Sequence, residues 1–396
     1  MDARRQASAR GRACTRWLAI APGRVNLIGE HTDYNGLPVF PIAIDRYVRI
    51  EFTVADDPVV RLDSPVARFD PFTFQLKRPI DAARQGDWSN YVRAAARGLL
   101  EHGLRLERGI EGIVTGDVPV ASGLSSSSAL VVAVALALLK ANGVALPRLQ
   151  LAALMARAEW FVGLQGGGMD QAACLHGVAG HALRIEFDPL RVTPVAVPAG
   201  WRWVVASSLA PAEKSGGARQ AYNERGRQCR EALGAMAAGA ADALPTYRDL
   251  VAEDDVDGLL RHAGRTLAPV LFRRFRHVLT EGRRVALAEV AMRRGDMRRF
   301  GDLMVRSHQS LRDDYEVSTG ALDAIVEVAL EAGGAGARLT GAGFGGCAVA
   351  LCDDATAGPV MEALAARFYQ PRLGGPPTGD MMFAAQAGGG ARVEGA

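Results

Sequence analysis

The chain has 396 residues, 49% of them apolar and 22% charged, with a formal net charge of +3. This length suits two domains, and the composition excludes a disordered or low-complexity chain. A charge so near balance argues against a dedicated nucleic-acid binder, and five scattered cysteines without CxxC spacing read as reduced thiols, not as a disulfide framework or zinc site.

Residues 1–16 carry several Arg without periodicity and are expected to form a loose tail; no apolar run follows, so no secretory leader is expected. Val48, Ile50, Phe52 and Val54 alternate with polar neighbours, which predicts a half-buried strand over 47–54. A helix is expected over 90–102 and a short strand over 113–115. Four serines at 125–128 precede an apolar run at 129–139, predicting a helix whose N-terminus is capped by hydroxyls. That run is too short to span a bilayer, so no membrane partner is expected and the chain reads as cytoplasmic. A second helix is expected over 149–161, ending at the glycines 166–168. Pro194, Pro198 and Gly200 precede a strand at 201–207, which divides the chain into domains 1–196 and 197–396. The second half reads as largely helical. Leu322, Ile325, Val326, Ala329 and Leu330 make one apolar helical face, with Ser318 or Thr319 as cap and Gly333-Gly334 as stop. A glycine-dense turn at 341–346 leads into an apolar strand at 347–352, and residues 388–396 read as a frayed tail.

Three segments carry chemistry. Pro119-Val-Ala-Ser-Gly-Leu-Ser-Ser-Ser-Ser-Ala129 puts a glycine and hydroxyls before an apolar helix. It reads either as a cradle for phosphate, built from free amides and a helix dipole, or as a serine cap on a core helix. Arg24, Asn26, Glu30, His31, Asp33, Tyr34 and Asn35 crowd into residues 21–35. Such a mixture suits several sugar hydroxyls, although a solvated polar loop has the same composition. Asp170 follows Gly166-Gly-Gly-Met. It is either a carboxylate aimed by a tight turn at a substrate hydroxyl or a plain turn cap. Two other nucleotide patterns fail. Lys214-Ser215 lacks the glycines of a Walker A loop, and Gly341-x-Gly343-x-x-Gly346 is followed by a strand where a dinucleotide fingerprint needs a helix.

Taken together and in this order, these segments resemble the signatures of the GHMP kinases, and within them the galactokinases. Residues 21–35 are similar to the galactokinase signature, 119–129 to the phosphate loop, and 339–346 (Leu-Thr-Gly-Ala-Gly-Phe-Gly-Gly) to the C-terminal glycine motif. Asp87-Trp88-Ser-Asn-Tyr91-Val92, Tyr222-Asn-Glu-Arg225 and the stretch from His308 to Ser318 add to the likeness, which covers residues 18–352. The resemblance implies an α+β, two-domain GHMP kinase fold, its N-terminal domain ribosomal S5 domain 2-like and its C-terminal domain ferredoxin-like. It implies ATP and Mg2+ as cofactors and a sugar substrate held between the domains, phosphorylated at its anomeric hydroxyl. Carried over to this chain, Ser127 is the Mg2+ ligand, with Gly123, Leu124, Ser125, Ser126 and Ser128 around the phosphates and Trp88 at the adenine. Glu30, His31, Asp33, the backbone of Gly167 and the ring of Tyr222 hold the sugar. Asp170 takes the C1 proton or positions that hydroxyl, and Arg24 stabilises the transferred phosphoryl group. A guanidinium beside Asp170 is expected to lower its pKa.

The chain departs from the galactokinase pattern at the catalytic turn, where Gly166-Gly-Gly-Met-Asp-Gln stands in place of Cys-Gly-Ile-Met-Asp-Gln. The triple glycine, residues 121–130, Ile185-Glu-Phe-Asp-Pro-Leu190 and Val131 are more like N-acetylgalactosamine kinases, and glycine at 166 or 168 leaves room for a larger C2 substituent. Residues 207–221 match neither pattern. Kinases for N-acetylgalactosamine or galacturonate and a catalytically silent sugar and ATP sensor are the alternatives, while Glu30-His31-Thr-Asp33 speaks against mevalonate- or homoserine-type kinases. His308, His176 and His181 have no metal-ligand spacing and are expected to be structural. Oligomeric state is not legible in the chain.

Overall fold

The computed structural model describes residues 15–163, 165–211, 217–237 and 246–396, so 1–14 of the tail expected at 1–16 and 212–216 of the stretch 207–221 lie outside the described residues, while Arg16 already belongs to the first strand. The alternation at 47–54 is the second half of a longer strand. β1 (Arg16–Asn26), β2 (Pro41–Val54), β3 (Val59–Asp63), β4 (Phe72–Gln75) and β5 (Ile110–Gly116) build the first sheet with helix α1 (Ser89–Glu101) between the last two. Then follow α2 (Ser126–Ala141), α3 (Arg148–Glu159), α4 (Met169–His176) and the hairpin β6 (His181–Glu186) and β7 (Arg191–Ala196). The run at 129–139 makes α2 apolar all round, and it is buried against α1, α4, β1 and β2. Each fully buried Leu or Val there contributes about 1.5–3 kcal/mol.

The second unit opens with β8 (Arg202–Ser207) and continues through α5 (Gly217–Met236), α6 (Tyr247–Ala252), α7 (Val256–Thr266), α8 (Pro269–Arg293), α9 (Met297–Asp313) and α10 (Gly320–Glu331). Strands β9 (Gly336–Thr340) and β10 (Cys347–Cys352) flank the glycine-dense turn. Helices α11 (Ala357–Leu364) and α12 (Gln370–Leu373) and strands β11 (Met382–Ala385) and β12 (Arg392–Gly395) complete the chain. Sheet order β11-β8-β10-β9, antiparallel throughout, is the order of a ferredoxin-like βαββαβ unit. The Thr319 hydroxyl caps α10 by accepting from the Leu322 amide, and the Leu322, Ile325, Val326 and Ala329 face is buried as its spacing predicts.

Two expectations are corrected. Residues 388–396 are not frayed: β12 pairs with β1, Trp17 opposite Gly395 and Ile20 opposite Arg392, so the C-terminus closes the first sheet in the order β12-β1-β2-β5-β3-β4. Glycine-rich sequence at 388–390 hides this, because Gly390 lies against the Leu175 carbonyl and Gly177, where a Cβ would collide. The serines before α2 are not hydroxyl caps either. Ser125 occupies the N-cap with left-handed φ +62°, not the extended backbone that aims a hydroxyl at the first helical amides, and makes no side-chain cap bond, while Ser127 and Ser128 point to an acidic partner.

Candidate active site

The phosphate-loop segment links β5 to α2. Since α2 starts at Ser126, its first amides have no partner within the helix and face the loop. Beside it lies a cavity of about 580 Å3 whose walls include Phe69, Trp88, Tyr91, Ser122, Gly123 and Ser125 to Ser127. Trp88 is fixed there by its indole N–H, 2.8 Å from the Asp70 carbonyl, and by edge contact with Phe72. Leu124 and Ser128 do not reach the cavity wall. The Leu124 side chain is fully buried in the core, leaving its carbonyl to accept from the Arg24 amide at 3.1 Å. Ser128 is fully buried, its hydroxyl donating to Glu159 at 2.7 Å.

Arg24, on β1, joins three segments. Its Nε and Nη2 each lie 2.8 Å from Asp170 Oδ1, and its Nη1 donates to the Gly123 carbonyl at 2.6 Å. Asp170 is not on a turn but in the first turn of α4, after Gly168 at φ +107°. Helix rather than loop fixes its direction. Behind it, Glu159 receives the hydroxyls of Ser127 (3.2 Å) and Ser128 (2.7 Å) and the amide of Gln171, while Ser128 is a longer 3.4 Å from Asp170. Sequence reasoning missed Glu159. Its signal was periodic: it falls on the buried face of α3 with Leu151, Ala152 and Met155, where an unpartnered carboxylate would be costly.

The sugar-signature segment leaves β1 and is held from both units. Glu30 is buried, its Oε1 accepting from the Gly341 amide at 2.6 Å and its Oε2 from Asn26 at 2.9 Å, with Arg338 at 3.8 Å. Burial raises its pKa against the pull of Arg338 and Arg24. Both oxygens are already engaged by protein, so Glu30 is first a strut between the units. Asp33 Oδ2 accepts from the Gly167 amide at 3.1 Å; burial, then the charges of Asp170 and Glu30, raise its pKa to about 6. The Gly167 N–H is thus committed to Asp33, and a Cβ at Gly167 would lie 2.5 Å from Asp33 C and Tyr34 N. At Gly168 the positive φ explains the glycine, and a Cβ would meet Ala156 and Phe187. That accounts for one of the two departures without a larger sugar. Tyr222, on α5, faces His31 at 5.5 Å between ring centroids, and burial among Asp33, Asp170 and Glu30 raises its pKa well above 10.

A second layer, also missed, comes from α8 and its neighbours. Glu281 is fully buried, its Oε1 accepting from the Gly29 amide (2.8 Å) and Ser307 (2.6 Å) and its Oε2 from Arg284 (2.6 Å). Burial would raise it, but Arg284 and Arg338, with His277 and Ser307, overcome this and hold the carboxyl at about 2. His277 Nε2 lies 3.1 Å from the Glu30 carbonyl. A carbonyl only accepts, so Nε2 carries the proton. His308 is buried, accepting from the Leu339 amide and facing Asp323, a structural role as expected. Among the described residues no group of three or more His, Cys, Asp or Glu is arranged to hold a metal, and no helix is long and apolar enough to cross a membrane.

Comparison with known proteins gives the family. Residues 90–178 match the GHMP kinases N-terminal domain, 288–370 the GHMP kinases C-terminal domain, and 8–53 the galactokinase galactose-binding signature. The chain is 44% identical over 341 residues to a galactokinase of Chloroflexus aggregans, covering 85% of this chain and 84% of that protein. It is 43% identical over 337 residues to that of Chloroflexus aurantiacus, covering 84% and 83%. The Lactococcus lactis galactokinase, solved in complex with galactose, superposes with a TM-score of 0.83 at 32% identity over 95% of both chains. The L. major mevalonate kinase (TM-score 0.62, 18% identity, 93% and 95% of the chains) shares the fold alone. The chain belongs to the galactokinase family of the GHMP kinases.

Proposed function

We propose that this protein is a galactokinase, transferring the γ-phosphoryl group of ATP to the anomeric C1 hydroxyl of galactose. The observation that carries the reading is the Arg24–Asp170 pair, tied through Arg24 Nη1 to Gly123 of the phosphate loop and lying between that loop and the sugar-signature segment. Asp170 orients the C1 hydroxyl and receives its proton as the oxygen bonds to phosphorus and the bond to ADP breaks. Arg24 meets the charge on the moving phosphoryl group, and the α2 amides hold the phosphates. Trp88 and Tyr91 line the space for the adenine.

The oxygen donors Ser127 and Glu159 suit Mg2+, whose preference is for hard oxygen ligands. Bound there, the ion neutralises phosphate charge. His31, Asp33 and Tyr222 face the sugar, with Glu30 and Gly167 holding them in place.

The test is ADP release with Mg-ATP against galactose, N-acetylgalactosamine, galacturonate, glucose and no sugar. Strong turnover with galactose is expected. Preference for the acetamido or acidic sugar would move the substrate, and bound ATP with no turnover on any sugar would leave a sensor.

A further inference from the structure

His31 is held in an unusual way. Its backbone sits at φ +63°, a left-handed conformation uncommon for a residue with a side chain. Its ring lies among three tyrosines, with centroids 4.6 Å from Tyr315, 5.5 Å from Tyr222 and 5.9 Å from Tyr34. Nδ1 is 2.7 Å from the Tyr34 hydroxyl, which is 2.9 Å from that of Tyr315, which is in turn 3.1 Å from Cys229 Sγ. Tyr315 and Cys229 are fully buried. Nε2 is buried with no hydrogen-bond partner among the described residues, although the Ala342 carbonyl is near enough to favour charge on the ring.

Proton counting makes this chain of contacts directional. Burial, with the charges of His277, Arg225 and Arg338, holds His31 well below its ordinary range, so the ring carries one N–H. Burial lifts both phenols well above 10, so each keeps one proton. In one arrangement Cys229 donates to Tyr315, Tyr315 to Tyr34 and Tyr34 to Nδ1, which leaves the proton on Nε2. In the other every bond is reversed and Nε2 is a bare acceptor. Exchange between the two requires every bond of the chain to reverse together, so the tautomer of His31 is tied to the direction of the whole chain.

We propose that Tyr34 and Tyr315 are positioning residues for sugar binding: their hydroxyls form a relay, anchored at Cys229, that fixes the ring of His31 and commits its Nε2 to one role toward a sugar hydroxyl. The relay spans both units, since Tyr34 belongs to the signature segment and Tyr315 follows α9. It rests on the reading of His31 as a sugar-facing residue.

Tyr34→Phe and Tyr315→Phe keep the rings and remove the hydroxyls. In Tyr34→Phe the galactose KM rises roughly tenfold, the worth of one well-placed hydrogen bond, while kcat and the ATP KM stay within about twofold. Tyr315→Phe moves the same constant in the same direction. In a His31→Ala background Tyr34→Phe adds nothing further. The ring 15N shifts of His31 report one neutral tautomer in the unsubstituted protein and a mixture in Tyr34→Phe. An unchanged galactose KM in Tyr34→Phe, an additive effect in the His31→Ala background, or an equal rise in the ATP KM overturns the relay. If instead His31→Ala itself leaves the galactose KM unchanged, the assignment of His31 to the sugar site fails. Should Tyr34→Phe not fold, the tautomer of His31 in Tyr315→Phe decides: retention of a single tautomer overturns the relay.

Discussion

The phosphate loop leans on nearer stretches of chain than the sugar-signature segment does, its longest bonds running about a hundred positions back to Arg24. Ser122 bonds within its own turn, three residues away, and Ser127 and Ser128 reach Glu159 only 32 and 31 positions on. Residues 26–34 depend on partners far along the chain: Gly167 is 134 positions from Asp33, Glu281 is 252 from Gly29, Tyr315 is 281 from Tyr34 and Gly341 is 311 from Glu30. Phosphate needs amides and a helix end, which a short segment supplies itself. Discriminating among sugar hydroxyls needs rigid side chains of several kinds, and here that rigidity is imported from the second unit. A change in α8 is therefore expected to disturb galactose while sparing ATP.

The largest effect is expected where the two regions meet. Asp170→Asn keeps shape but loses the proton acceptor, and turnover falls by at least about 10^3-fold with ATP binding retained. Substantial residual turnover, measured as ADP release, would remove Asp170 from the chemistry. Glu281→Ala strands Arg284, Ser307 and the Gly29 amide in the interior and costs about 3–5 kcal/mol of stability, read as a shift in the urea midpoint. The same carboxyl gives a pH signature. Held at about 2 in the fold against 4.5 for the free group, it supports the fold fully above pH 4.5 and loses that support as pH falls toward 2. Glu281→Gln flattens this acid limb.

Gly167→Ala sharpens the contrast between the regions. The new Cβ forces Asp33 and Tyr34 aside and raises the galactose KM on the order of 10^2-fold, with the ATP KM unchanged. A parallel change in both constants would mean that the two regions are not separable. The smallest effect is one of pH. Asp33, raised to about 6, is a charged acceptor above that pH; protonation weakens it as an acceptor and turns one oxygen into a donor, so kcat/KM for galactose falls as pH drops below about 6. Asp33→Asn removes this limb.

The same contrast explains what the sequence made legible. Strands and helices with strong periodicity, such as 48–54 and 322–330, stand where their spacing predicts. The polar cluster at 24–35 touches both the loop before the serine run and the Asp170 turn, through Arg24 to Gly123 and Asp170 and through Asp33 to Gly167. Glu281, Arg338 and His277 gave no local sign, because a charged or polar residue in a helix or strand reads as surface until its partner is known. β12 was hidden for a related reason: a strand of four residues is defined by the edge it joins, and here that edge is the first strand of the chain.

The most direct test of the account is the identity of the product. Incubating the protein with Mg-ATP and galactose, and following the sugar by proton and phosphorus NMR, is expected to show phosphorus coupled to the anomeric proton, with no such signal from Asp170→Asn. Coupling to the C6 protons instead, or no sugar phosphate at all, would contradict it.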